Sequence, residues 1–266
     1  MFIALGLGSV VGVILALTGA GGGILAVPLL MFGIQMGVAQ AGPIGLLAVG
    51  MAATLGAVLG LREGIVRYRA AVLIAAFGML LSPLGLWLAH RLDKRWLGVL
   101  FAMILLLVAF RTLRQATRPP AALPLTADSP RPCKRDAASG RFIWTSSCAC
   151  ALALSGAVAG LLSGLLGVGG GFVMVPALQR YTDLAMRSVV ASSLAVIALV
   201  SATGVIASAA TGGMEWSVAL PFSSGALAGM LGGRLVAARL AGPHLQVGFA
   251  IAAAAVAVGM IVKSAF

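Results

Sequence analysis

Two glycine triplets, Gly21-Gly22-Gly23 and Gly169-Gly170-Gly171, could do chemistry without any charged side chain. Each sits inside an apolar stretch, and Pro28 and Pro176 follow five residues on as expected structural breaks. Three consecutive glycines cost about 2–3 kcal/mol of helix propensity relative to alanine, so an unbroken helix is a poor use of them. A helix that restarts after such a break presents unpaired N–H groups and the positive end of its dipole. Together these can hold an anion. Small residues also let helices cross closely, which is the competing reading. Recurrence at equivalent places favours the site-forming break.

Hydroxyls are the second resource. Ser192 and Ser193 stand in SVVASSLAVIALVSATG, with Ser201 and Thr203 further along, and Thr18 precedes the first triplet. A hydroxyl can donate to an anion as it sheds water, or to a carbonyl of its own helix. Arg234 lies five residues before Arg239, deep enough to face the protein interior. A cation there marks function, unless it snorkels to the headgroups. The expected substrate-binding set is therefore Thr18, Gly21, Gly22, Gly23, Gly169, Gly170, Gly171, Ser192, Ser193 and Arg234. No Ser–His–Asp set or paired carboxylate is present, so no enzyme is expected. Cys133, Cys148 and Cys150 lack a partnering His or a second CxxC, and predict neither a metal site nor a disulfide framework. No cofactor is implied.

The elements that must position these residues are membrane helices. Of the 266 residues 61% are hydrophobic and 9% charged, and the mean hydropathy is +1.11. A soluble domain carries about 25% charged residues. No Lys, Arg, Asp or Glu occurs from Met1 to Leu61, and all six acids fall in or beside connecting segments. The net charge of +12 comes from Lys and Arg at span ends, as the positive-inside bias requires, and not from a nucleic-acid surface. The start, MFIALGLGSVVG, has no basic n-region and reads as structure, not as a cleaved signal peptide.

Spans need about 20 apolar residues. They fall near 3–32, 41–61, 70–90 and 96–113, then 146–178, 187–209, 216–238 and 243–262. The fold class is thus all-α integral membrane, with about eight hydrophobic helical segments. Residues 114–142 form a basic, Pro-rich linker between a first repeat, 1–113, and a second, 143–266. From Arg111 to Arg141 the chain has seven basic residues and five of its eleven prolines, which predicts a cytoplasmic linker. The halves match at an offset of 148: GAGGGILAVPLL aligns with GVGGGFVMVPAL, Gly12 with Gly160, Gly56 with Gly204 and Phe101 with Phe249. Such duplication, with helices interrupted at corresponding places, points to a transporter with its site at the repeat interface. Four crossings per half would make the repeats parallel. If 3–32 is instead a re-entrant hairpin, an odd count makes them inverted, and loop charge alone does not choose between these.

The doubled GxGGGxxxVP resembles the TauE/SafE family of sulfite exporters, over nearly all of the chain except the linker. The Ala-Ser-Ser-Leu run at 191–194 and the glycine-rich run at 225–240 share the likeness. The resemblance implies a multi-pass permease of a bacterial-type cytoplasmic (inner) membrane, moving sulfite, sulfonates or related anions, often outward. Its implied partners are a small anionic substrate and the lipid bilayer, with no nucleic acid; the oligomeric state is left open. Uptake of another small anion or metabolite, and a non-transporting membrane subunit, are the alternatives. One departure stands out: Ile44-Gly45 occupy the first-half positions of Ser192-Ser193.

Overall fold

The computed structural model describes residues 2–18, 21–116, 133, 145–210, 212, 214–240, 248, 251 and 253–260. Among these the chain is helical: α1 (Phe2–Thr18), α2 (Gly21–Gly33), α3 (Val38–Arg62), α4 (Tyr68–Arg91), α5 (Lys94–Ala116), α6 (Ser146–Leu166), α7 (Gly171–Tyr181), α8 (Met186–Ala210) and α9 (Trp216–Leu240). Residues 253–260 form a last helical stretch. Five helices, α3, α4, α5, α6 and α8, are long and apolar enough to cross a membrane. The protein is a multi-pass membrane protein. The expected segments 3–32 and 146–178 each resolve into two helices, while half of 243–262 lies outside the described residues.

The split between α6 and α7 follows from glycine chemistry. Gly167, Gly169 and Gly170 have φ of 71°, 77° and 67°, a left-handed conformation that costs other L-residues about 1–2 kcal/mol each. In the first half α1 ends at Thr18 and α2 already begins at Gly21, residues 19–20 lying outside the described residues. The first triplet is therefore helical, whereas the second lies mostly in the break. The prolines do not break anything: Pro28 and Pro176 sit inside α2 and α7. Their missing N–H is tolerated in a short helix whose interruption lies upstream, which corrects their expected role.

Glycine also sets the packing. A Cβ on Gly8 would strike the Phe222 carbonyl, and one on Gly12 the Ala226 carbonyl, so α1 lies parallel along α9. Gly156 and Gly160 of α6 stand in the same relation to the carbonyls of Ile74 and Gly78 on α4. Without water to drive association, such backbone approach is what membrane helices have to hold them together. Gly50 faces Ser201 while Gly60 faces Ala191, so α3 and α8 cross antiparallel. Gly22 lies against Val11 and Leu15, and Gly33 against Leu7, so α2 folds back along α1 as a hairpin.

Against the expectation of no disulfide, Cys133 is bonded to Cys148. Both sulfurs are buried, and the Cys133 N–H donates to the Tyr181 carbonyl at 3.2 Å. Cysteine spacing carries no information about this pairing, because α7 must first return to the start of α6. One residue thus touches both ends of the α6–α7 hairpin, which begins and ends on a single face. Cys150 is a free, exposed thiol.

Candidate functional site

The starts of α2 and α7 meet against the crossing of α3 and α8. A Cβ on Gly23 would come within 2.6 Å of the Val168 carbonyl oxygen and 3.3 Å of Val49. One on Gly169 would reach Val49 at 3.3 Å, Ile197 at 3.1 Å and the Ser201 hydroxyl at 3.1 Å. Val49 of α3 therefore touches both hairpins, and α8 brings Ile197 and Ser201 to the same place. Gly170 caps α7 in a left-handed conformation and offers no side-chain acceptor to the first N–H groups of that helix. By position, those of Gly171 and Phe172 have no intrahelical acceptor.

Ser201 is fully buried, and its hydroxyl has no hydrogen-bond partner among the described residues. Ser82 on α4 is in the same state, 3.6 Å from where a Gly204 Cβ would stand, and Gly204 is one turn beyond Ser201. Ser163, in the last turn of α6, is a third buried hydroxyl without a partner. Buried polar groups are normally satisfied, so orphans beside a broken helix ask for a ligand. Next to them an apolar cleft is lined by Gly42, Pro43, Leu46, Leu86 and the stretch 164–167. It lies at the end of α3 and α4 opposite the Arg62–Arg67 turn.

The expected site residues do not all converge. Gly23 and Gly169 lie at the meeting point, while Gly170 packs on Ala159 of α6 and Gly171 opens α7. Gly22 packs against the backbone of α1, with Val11 and Leu15 atoms 2.6 Å from its would-be Cβ. Gly21 opens α2. The Thr18 hydroxyl donates to the Ile14 carbonyl at 2.7 Å, and that of Ser193 to Val190 at 2.8 Å. Both are local helix bonds. Ser192 is buried but about 13 Å along α8 from Ser201 at 1.5 Å per residue, where it accepts from the Arg67 N–H at 3.0 Å and steadies the start of α4.

Arg234 corrects the expectation most sharply. Its guanidinium pairs with the Glu63 carboxylate across the ends of α9 and α3. The two side chains are 36% and 53% exposed, so this is a surface ion pair, worth about 0–1 kcal/mol. It faces no interior site.

Sequence reasoning passed over Ser201 because hydroxyls nearer the loop looked more available. A signal was present: Ser201 is one turn past Ile197, whose partner at the 148 offset is Val49. Ser201 therefore shares the face of α8 that meets α3. Among the described residues, no group of three His, Cys, Asp or Glu could hold a metal ion.

Residues 4–260 match the family described as sulfite exporter TauE/SafE. The chain is 32% identical over 249 residues to a probable membrane transporter protein of Xylella fastidiosa (strain Temecula1), covering 92% of this chain and 88% of that one. It is 27% identical over 244 residues to the probable membrane transporter protein YunE of Bacillus subtilis (strain 168), covering 87% and 85%. No solved structure matches.

Proposed function

The chain belongs to the TauE/SafE sulfite exporter family, and from that premise we propose that it is a permease exporting small sulfur-containing anions, such as sulfite or organosulfonates, across a cytoplasmic membrane. The observation that carries this reading is the meeting of two helix starts, α2 and α7, beside Val49 in the middle of the α3–α8 crossing. Helix N-termini at such a place favour anions without a formal cation. Direction follows from energetics. An inside-negative potential is worth about 2.3 kcal/mol per charge per 100 mV, which drives an anion outward with no coupled ion. The described acids, Glu63, Asp93, Asp183 and Glu215, all lie outside the helices, so none sits in a span to relay protons.

In the same reading, 1–113 and 143–266 are inverted repeats joined by the linker 114–142. The mates α3 and α8 run antiparallel, so the twofold that exchanges them lies in the membrane plane. It also turns the α1–α9 pair into α6–α4. Among the described residues the first half then supplies one hairpin and the crossings α3, α4 and α5, and the second a matching hairpin with the crossings α8 and α9. Of the twelve lysines and arginines in the described residues, nine lie on the linker's face; Arg91, Lys94 and Arg95 lie on the other. The positive-inside bias puts the linker in the cytoplasm.

Proteoliposomes holding the purified chain test the export reading. Sulfite efflux should accelerate with an inside-negative potential and survive collapse of proton and sodium gradients. Efflux indifferent to potential but dependent on either gradient overturns it.

A further inference from the structure

The geometry points to Ser201 and Ser82 as neutral donors that select a singly charged oxyanion over a doubly charged one. This inference rests on the transport reading and adds the charge of the substrate and the residues that set it. Ser201 is aimed at the start of α7, an eleven-residue helix with an uncapped N-terminus, and has no partner for its hydroxyl. Ser82 on α4 is likewise buried and without a partner for its hydroxyl, beside Gly204 and Leu46 one turn further along α8. Leu46 is also a wall of the apolar cleft at the far end. The two hydroxyls therefore stand in file between the helix starts and that cleft.

The charge argument is quantitative. Each helix N-terminus acts as about half a positive charge. The starts of α2 and α7 together offset about one negative charge. A second would stand uncompensated among Val49, Ile197 and Leu46, and the cost of desolvating an ion grows with the square of its charge. Every described Lys and Arg lies in a connecting segment or in the last or first turns of a helix, so no side-chain cation makes up the difference. Serine contributes an O–H donor, which suits the oxygens of a sulfonate or bisulfite group and adds no charge. In the present conformation Val49 and Ile197 lie against Gly169, and the anion enters as they swing aside.

The test uses the full chain in proteoliposomes, with methanesulfonate as the monoanion and sulfate as the dianion at neutral pH. Methanesulfonate flux should exceed sulfate flux at least about tenfold. Ser201→Ala and Ser82→Ala should each lower methanesulfonate flux about tenfold, the scale of one hydrogen bond to a charged group. Ser201→Thr should retain it. Both alanine variants should unfold at the same temperature as the parent or higher, since each removes an unsatisfied buried group. Equal fluxes of the two anions would overturn the valence selection, and undiminished flux in both alanine variants would overturn the donor roles. Absence of flux for both anions in the parent chain would overturn the transport reading itself, and this inference with it.

Discussion

A buried serine without a partner and an exposed arginine with one invite opposite experiments. Arg234 is bonded to Glu63 at the surface, so its removal loses about 1 kcal/mol or less. Arg234→Ala and Glu63→Gln should each leave flux within about twofold of the parent in the proteoliposome assay; loss of flux would restore Arg234 to the site. The cysteines make a second residue-scale case. With Cys133 bonded to Cys148 and Cys150 exposed, denatured, unreduced protein should take up one thiol label per chain by intact mass, and three after reduction. Uptake of three labels before reduction would show the pair unbonded. Were the linker cytoplasmic, as proposed, a reducing cytosol would keep the pair as thiols and the bond would form on isolation under air.

At the scale of helices, glycine does two different jobs that composition cannot separate. Gly12 and Gly160 lie where any Cβ meets a carbonyl of the neighbouring helix. Leucine at either should force α1 from α9, or α6 from α4, and destabilise the protein by about 1–3 kcal/mol or more. Gly98 has open space around its would-be Cβ, so Gly98→Ala should be neutral or stabilising by up to about 1 kcal/mol. Thermal unfolding in detergent checks both; equal midpoints for Gly12→Leu and Gly98→Ala would refute the packing assignment. Gly170→Ala is a separate case, strained by its φ of 67° whatever the space. The helices themselves were readable in the sequence, because hydropathy reports on lipid contact directly. The second triplet was readable as an interruption, but the helical state of the first was not: Gly22 packs on α1 while Gly169 turns the chain. Which role a glycine takes is decided by the helix that approaches it, and that approach is non-local. The same holds for Ser201, whose bareness depends on α3 and on the α6–α7 break, and for Cys133, brought to Cys148 only by the return of α7.

For the whole molecule, the unresolved question in the sequence was the parity of crossings, and helix directions bear on it. Hydropathy counts apolar stretches but cannot tell a hairpin from a crossing, since both are equally apolar. Contacts can: Gly33 of α2 returns to Leu7 near the start of α1, and Cys133 joins the two ends of the α6–α7 pair. With each hairpin counted as no crossing, nine of the twelve described basic residues fall on one face, a separation that parallel repeats would scatter. The inverted arrangement thus predicts which loops meet which compartment. In a Cys150→Ser background, Arg62→Cys lies at the end of α3 on the linker's face and Glu215→Cys just before α9 on the other; both positions are exposed. A membrane-impermeant thiol reagent added to intact spheroplasts should label Glu215→Cys and spare Arg62→Cys until the membrane is permeabilised. Labelling of both from outside, or of Arg62→Cys alone, would refute the inverted, linker-inside arrangement.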